Sequence, residues 1–416
     1  MLFVYNCLLL VVRFGYAVAG LFSAKAKAFN EGRSRFFERL KSQLATNAAP
    51  IIWVHCASLG EFEQGRPVIE KLKQEFSRYK IILTFFSPSG YEVRKNYAQA
   101  DYIFYLPWDT KRNASQFVSL VRPSLAIFIK YEFWHHYTKQ LKTRNIPLLS
   151  VSSIFREQQL FFKSYGGFYR KILFNFTHFF VQNDESVRLL KKLQLTNYTK
   201  AGDTRFDRVK ELVAHGGELP VAAQFKGNDK IMVIGSCWPE DLDVIVPFIN
   251  ENYHHLKFII APHEIDESFM TGLEQSLNAE KIRYSKAVSG KPEDAHVLII
   301  DNVGMLSRLY RYGEFAYIGG AFGKGLHNIL EAACYGIPIF FGNQSYQKFQ
   351  EAVDLINRGG AFDVSDYRDF KTKYEAVNVP QNFLLACEVT RQYVEENLGA
   401  TEKVMQYCRK LLVANA

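Results

Sequence analysis

The stretch FAYIGGAFGKGLHNILEAACYGIPIFFG, Phe315–Gly342, sets the architecture of this 416-residue chain. Phe315 to Gly319 is a short, non-alternating apolar run, the pattern of a parallel strand buried on both faces. Four glycines in seven residues follow (Gly319, Gly320, Gly323, Gly325), then a helix-length segment, Asn328–Tyr335, and a second apolar run, Ile337–Phe341. Strand, glycine loop, helix and strand in that order make one unit of a doubly wound α/β sheet.

Outward from this unit the same alternation covers the chain from Pro50. One series of apolar runs is Ile51–His55, Ile81–Phe86, Tyr102–Leu106, Leu125–Ile129, Ile146–Val151 and Phe179–Gln182. A second is Ile231–Gly235, Phe258–Ala261, Val297–Asp301, Phe315–Gly319 and Ile337–Phe341. Helix-length segments such as Gln64–Tyr79, Asp184–Leu193 and Pro239–Tyr253 lie between runs. The series break near Asp203–Lys230, where Gly216-Gly217, Pro220 and Gly227-Asn228-Asp229 are linker signals. The expectation is two doubly wound domains, residues 42–205 and 206–416, facing a cleft that takes ligands at the carboxyl ends of the strands.

Composition agrees with two domains. The mass is 47.9 kDa. A 48% hydrophobic share excludes a disordered chain, and 22% charged residues exclude a polytopic membrane protein. Six scattered cysteines with no CxxC pair exclude a disulfide scaffold and a thiolate zinc site, and fit a reducing compartment. The 35 phenylalanines are expected to fill the core.

The net charge of +9 is uneven. Seven basic residues (Arg13, Lys25, Lys27, Arg33, Arg35, Arg39, Lys41) oppose two acidic ones (Glu31, Glu38) between Arg13 and Lys41, a surplus of five. Residues 1–41 begin with an almost wholly apolar stretch, Leu2–Phe22. Three readings compete for it. Ala17-Val18-Ala19 fits a signal-peptide cleavage site, but no Lys or Arg precedes the apolar run. A spanning helix has the length, at the cost of Arg13 near its centre. In an interfacial helix, Asn6, Arg13 and Gly20 recur every seven residues on one face, and Arg13 reaches the headgroups. A membrane anchor of either kind is favoured over cleavage, with the basic stretch on anionic lipid at the cytoplasmic face. No nucleic-acid recognition motif accompanies the basic run.

Two strand exits carry candidate chemistry. Val54-His55-Cys56-Ala57-Ser58-Leu59-Gly60-Glu61 ends a strand, turns through small residues and places a carboxylate just before a helix. Glu61 there suits a base for a hydroxyl nucleophile; the alternative is a carboxylate that only compensates the helix dipole. In the glycine loop, exposed N–H groups and a helix starting near Asn328 suit a phosphate, with Lys324 adding charge and Glu331 suited to ribose hydroxyls; the alternative is a turn needed for tight packing. The loop is neither a Walker loop nor GxGxxG. His263, in Ala261-Pro262-His263-Glu264, and the exit Asp301-Asn302-Val303-Gly304-Met305 belong to the same half. No metal-ligand spacing, GxSxG or HExxH occurs, which removes support from hydrolase readings.

The ordered series VHCASLGE, FSPSGYE, YLPWD, YEFW, SSIFRE, VQNDES, GDTRFD, DNVGMLSRLY and IGGAFGKGLHNILEAACYGIPIFFG resembles the bacterial 3-deoxy-D-manno-octulosonic acid (Kdo) transferases over nearly the whole chain. These are GT-B glycosyltransferases that move Kdo from CMP-Kdo to the lipid A precursor at the inner membrane. The resemblance implies Glu61 as general base and assigns transition-state stabilisation to the positions of Lys130 and Arg205. The family carries Glu and Lys there, so Lys130 reverses a charge and Arg205 preserves one, while Glu132 keeps a second acidic position. CMP-binding positions are implied at Pro262, Gly304, Met305, Asn328 and Glu331, beside His263 and Lys324. Pro262 stands where the family usually has Arg. Neither metal nor cofactor is expected, and the partners are CMP-Kdo, the lipid acceptor and an anionic membrane surface. The alternatives are a GT-B transferase for another nucleotide sugar and lipid, or an inactive membrane-bound sugar-nucleotide binding protein.

Overall fold

The computed structural model describes residues 1–413 and divides into two compact units, Met1–Asp207 with the chain from Leu398 on, and Arg208–Asn397. The last helix, Ala400–Val413, therefore packs in the first unit, although its sequence position had placed it with the second half. Val404, Met405, Cys408 and Leu412 insert into the first unit's core, and the Arg409 guanidinium binds Glu75 and Glu402.

The first unit holds β1 (Ile51–Cys56), β2 (Lys80–Phe85), β3 (Tyr102–Tyr105), β4 (Pro123–Ile129), β5 (Leu148–Ser153), β6 (His178–Val181) and β7 (Tyr198–Lys200). They form one parallel sheet in the order β3-β2-β1-β4-β5-β6-β7. The second unit holds β8 (Ile231–Cys237), β9 (Lys257–Pro262), β10 (Lys281–Arg283), β11 (Val297–Ile299), β12 (Phe315–Ile318), β13 (Ile339–Gly342) and β14 (Ala361–Val364). Its parallel order is β10-β11-β9-β8-β12-β13-β14. Every residue of β1, β5 and β13 is buried, as two-sided burial of an unbroken apolar run requires. Chain direction across the sheet reverses between β1 and β4 in the first unit and between β8 and β12 in the second. Strand ends diverge at such a switch and leave a crevice for ligands.

The first unit opens with four helices, α1 (Leu2–Ala19), α2 (Ala24–Glu31), α3 (Phe36–Leu44) and, after β1, α4 (Leu59–Glu75). Gly65 lets α4 lie close on the sheet, since a β-carbon there would come within 3.0 Å of Ile129 and 3.3 Å of Cys56 Sγ. The aromatic residues fill the core as expected: Trp53 packs against Phe117, Phe128 and Tyr137.

α1 lies along the first unit by one face. The Tyr5 hydroxyl donates to Asp109 Oδ2 at 2.6 Å, Asn6 Oδ1 is 2.8 Å from His136 Nε2, and Tyr16 stacks on Phe29. Asp109 is buried and also accepts the N–H groups of His136 and Tyr137. The opposite face, with Phe3, Leu10, Val11, Phe14 and Val18, is exposed, Phe14 to 71%. Not all of the basic run faces solvent: the Arg33 guanidinium donates to the carbonyls of Phe29, Phe86 and Leu106 and stacks on the Phe29 ring. Arg13 and Arg35 instead line a cavity of about 650 Å³ beside Trp108.

Candidate active site

In the first unit, the exits of β1 and β4 bring three charged side chains to one place. Glu61 sits in the first turn of α4, and its Oε2 accepts the Ser58 N–H at 3.0 Å. A helix-capping carboxylate in water would be held below its ordinary value by such a bond and by the helix dipole. Here burial and the neighbouring Glu132 charge outweigh the Ala57 and Ser58 N–H groups and Lys130, and push Glu61 from 4.5 up to about 7. A carboxyl that exchanges its proton near neutrality has the property a general base needs.

Lys130 follows β4 directly. Its N–H donates to the Val151 carbonyl at 2.8 Å while its φ is +64°, so the chain turns sharply out of the sheet at that residue. A left-handed conformation at a residue with a β-carbon is strained, on the order of 1 kcal/mol. Its ammonium lies 5.3 Å from the Tyr131 ring centre and acts on Glu61. Glu132, two residues on, is buried; its Oε2 accepts from Trp134 Nε1 at 2.5 Å and lies 3.0 Å from His55 Nε2. Arg205 reaches the same helix by a different route: its Nε donates to Asp203 Oδ2 at 3.0 Å, and Gln64 of α4 donates to the same oxygen at 2.9 Å. Burial raises buried Asp203, but the Arg205 charge and these hydrogen bonds hold it below its ordinary value.

The second unit's site is built at the exits of β8, β9 and β12. His263 stacks on Trp238 with ring centres 4.2 Å apart, and Trp238 Nε1 donates to His327 Nε2 at 2.8 Å. His327 Nε2 is therefore an acceptor, and burial, with His263 beside it, pulls that ring down to about 4. Lys324 Nζ is 5.8 Å from the Trp238 ring centre. Buried Asp241 ties these pieces together, accepting the N–H groups of Trp238 and Gly320 and the Tyr317 hydroxyl. Gly319 is obligatory there, because a β-carbon would stand 2.6 Å from Asp241 Oδ2 and 2.4 Å from the Ser236 carbonyl.

The expected N–H cradle is largely closed. Gly323 and Gly325 donate to the Gly320 carbonyl, His327 donates to Gly319, and the Gly320 N–H goes to Asp241. The helix expected from Asn328 to Tyr335 is a single turn, Leu330–Ala333. Asn328 spends its side chain on this turn, accepting the Leu330 N–H and donating to Glu331 Oε1 at 3.1 Å. Pro262 ends β9 beside His263, whereas Gly304 (φ +93°) and Met305 stand at the β11 exit before the short helix Leu306–Leu309. Among the described residues no group of three His, Cys, Asp or Glu side chains could hold a metal ion.

Sequence reading missed Trp238, Asp241, His327 and His55. Trp238 and His327 are 89 residues apart, and only the β8–β12 neighbour relation joins them.

Residues 34–208 match the family described as 3-Deoxy-D-manno-octulosonic-acid transferase (kdotransferase). The chain is 26% identical over 345 residues to the 3-deoxy-D-manno-octulosonic acid transferase of Aquifex aeolicus, covering 82% of this chain and 88% of that one. It is 27% identical over 384 residues to the Chlamydophila psittaci protein of the same name, covering 86% and 84%. Solved structures agree on the fold. UDP-GlcNAc 2-epimerase from Neisseria meningitidis aligns with TM-score 0.61 at 14% identity, over 87% of this chain and all of that one. Acinetobacter baumannii MurG aligns with TM-score 0.54 at 11% identity, over 87% and 99%. The two parallel seven-stranded sheets thus have the GT-B fold, and residues 34–208 carry a domain similar to that of the 3-deoxy-D-manno-octulosonic acid transferases.

Proposed function

We propose that the protein is an inverting glycosyltransferase that moves Kdo from CMP-Kdo to a lipid A precursor of the lipid IVA type. Glu61 carries the reading. It lies inside the matched family domain, at the β1–β4 switch point, and exchanges its proton at about 7. It removes the proton from a primary sugar hydroxyl as that oxygen attacks the anomeric carbon of Kdo, in one displacement. CMP leaves with its bonding electrons, and the growing phosphate charge requires fixed positive groups. Lys130 and Arg205 in the first unit and Lys324 in the second are assigned that role. The second unit holds the nucleotide through the His263–Trp238–His327 stack, Pro262, Gly304, Met305, Asn328 and Glu331. The reaction so drawn uses no metal and no cofactor.

Of the membrane readings, the contacts of α1 favour an interfacial helix. Spanning would pull Tyr5 and Asn6 away from Asp109 and His136, whereas lying flat keeps both contacts and buries Phe3, Leu10, Val11 and Phe14 in the acyl boundary. The soluble units then work at the cytoplasmic face of the inner membrane. Mass spectrometry of lipid IVA incubated with CMP-Kdo and the full chain tests the assignment. Increments of one or more Kdo units are expected. Transfer from a UDP-sugar instead, or donor binding with no lipid product, would overturn it.

A further inference from the structure

The basic residues near the N-terminus do not form one solvated patch. Lys27 pairs with Glu31, and Arg39 donates to the Gly32 carbonyl. Arg13, Arg33 and Arg35 instead meet on the cavity of about 650 Å³ beside Trp108, because α1 docks on the unit and brings Arg13 to the turn between α2 and α3. One row of α1, Arg13 and Ala17, lines this cavity, and Glu38 is its one acidic lining residue. A second cavity, of about 290 Å³, shares Arg13 and Trp108 with the first and adds Lys111 and Arg112.

Arg33 shows that the charge here lacks its counterpart. Burial pulls its guanidinium down to about 9. Its hydrogen bonds go to three neutral carbonyls and use three of its five N–H groups, and its ring contacts include Phe29, Phe86 and Tyr105. Among the described residues no carboxylate pairs with it, although a charge drawn out of water ordinarily has a counter-ion. The Arg13 and Arg35 side chains likewise have neither hydrogen bond nor ion pair among the described residues. Lys111 and Arg112 open the helix Lys111–Val121, whose first turn carries no acidic residue. Cations at that end oppose the helix dipole, a cost that a bound anion offsets.

We propose that these adjoining cavities bind the phosphate of a lipid headgroup, held by Arg13 and Arg35 with the Arg33 charge behind them. Guanidinium groups suit this ligand because their N–H forks match phosphate oxygens. The choice of a lipid over free phosphate follows from the next row of α1. Leu10, Phe14 and Val18 recur every four residues and are exposed, Phe14 directly after Arg13. An amphiphile sets its phosphate on the arginines and its chains along that row. The site gives Arg13, which interrupts the apolar stretch, a role that diffuse attraction to an anionic surface does not require. The inference rests on the interfacial reading of α1, not on the transfer reaction.

Dihexanoylphosphatidic acid, a soluble short-chain ligand, is titrated into the full chain by calorimetry. Arg13→Gln combined with Arg35→Asn is expected to weaken its binding by about ten-fold or more, the scale of losing charge-assisted hydrogen bonds. Asn accepts the left-handed backbone at position 35 (φ +47°), so the turn is kept, and an unchanged melting temperature checks it. Arg13→Gln alone is expected to weaken binding several-fold and serves if the double variant does not fold. Lys25→Gln with Lys41→Gln removes the same charge away from the cavities and is expected to leave binding nearly unchanged. Equal weakening by both pairs, or no binding by the parent, overturns the proposal. Inorganic phosphate bound as tightly as the lipid overturns the lipid assignment, and dihexanoylphosphatidylcholine bound as tightly overturns the phosphate one. Flotation of Phe14→Asp on anionic vesicles separates the two readings: if it is unimpaired the interfacial reading falls, while the soluble ligand still decides this one.

Discussion

Replacing Glu61 by Gln is expected to remove activity and to stabilise the first unit, with a pH dependence fixed in advance. In the unfolded chain this carboxyl titrates near 4.5, and in the folded chain burial and Glu132 raise it to about 7. The folded state therefore binds the proton more tightly. Stability is greatest below the unfolded value, falls as pH rises between the two, and stays reduced above the folded value. The full displacement corresponds to about 3 kcal/mol, and partial exposure of the side chain to solvent reduces the expected cost to roughly 1–2 kcal/mol. Gln has no proton to lose and keeps an oxygen for the Ser58 N–H, so at pH 8 the variant escapes this cost. At pH 5 only about a quarter of the gain remains. In a scan of the first unit's unfolding the variant should melt roughly 2–6 °C higher at pH 8 and nearly level with the parent at pH 5. A dipole-compensating Glu61 makes the opposite prediction, because its loss would cost about 0.3–1 kcal/mol at pH 8. A variant no more stable than the parent at pH 8, or equally stabilised at both pH values, refutes the electrostatic argument for the base.

Lys130→Met removes a charge that lowers Glu61, so the acid limb of kcat/KM should move above pH 7 and the loss of activity at pH 6.5 should exceed that at pH 8.5; a limb that stays in place means Lys130 does not act on the base. Trp238→Ala removes the ring between His263 and Lys324, so the donor KM should rise by about ten-fold or more with the first unit's melting unchanged. Donor saturation kinetics with calorimetry read this, and an unaltered KM refutes the donor platform. Phe14→Asp on the exposed face of α1 should weaken binding to anionic vesicles by about ten-fold or more in flotation, while Tyr5→Phe should leave flotation intact and lower the melting temperature by uncovering buried Asp109. Equal flotation of Phe14→Asp and the parent removes the interfacial reading.

The sequence made the interior strands legible because two-sided burial leaves unbroken apolar runs, as in Ile51–Cys56 and Ile231–Cys237. The strands it missed are marginal in sheet position or length. Tyr198–Lys200 and Lys281–Arg283 are three-residue edge strands with polar ends, and Ala361–Val364 carries Asp363 at the far edge of its sheet. An edge strand needs little apolar surface, so it leaves little trace in a hydrophobic pattern. The final helix shows why topology outruns pattern: Val404, Cys408 and Leu412 announce a buried face, but nothing local says that this face returns to the first unit. Among the candidate site residues, Glu61 and Lys324 stand at a strand exit and in a glycine loop that the sequence displays directly. The His55–Thr84 pair is not so displayed, because a buried polar pair on adjacent strands is specified only by its register. The glycine loop misled in one respect. Its N–H groups looked free for a phosphate, yet in so tight a turn they meet the Gly319 and Gly320 carbonyls first.

The register of β1 on β2 and β4 also gives the Lys130 departure a physical sense. The first site holds two carboxylates, Glu61 and Glu132, with Lys130 acting on Glu61 from the same turn as Glu132. A third carboxylate at position 130 would add a second repulsion and raise Glu61 further, so that less of the base would be ionised at neutral pH. With Lys there, burial and the Glu132 charge hold the Glu61 proton on, the Ala57 and Ser58 N–H groups and Lys130 push it off, and the balance lies at about 7. A base is most effective when its proton exchanges near the working pH. Charge reversal at this position is therefore compatible with a base that exchanges its proton near neutrality.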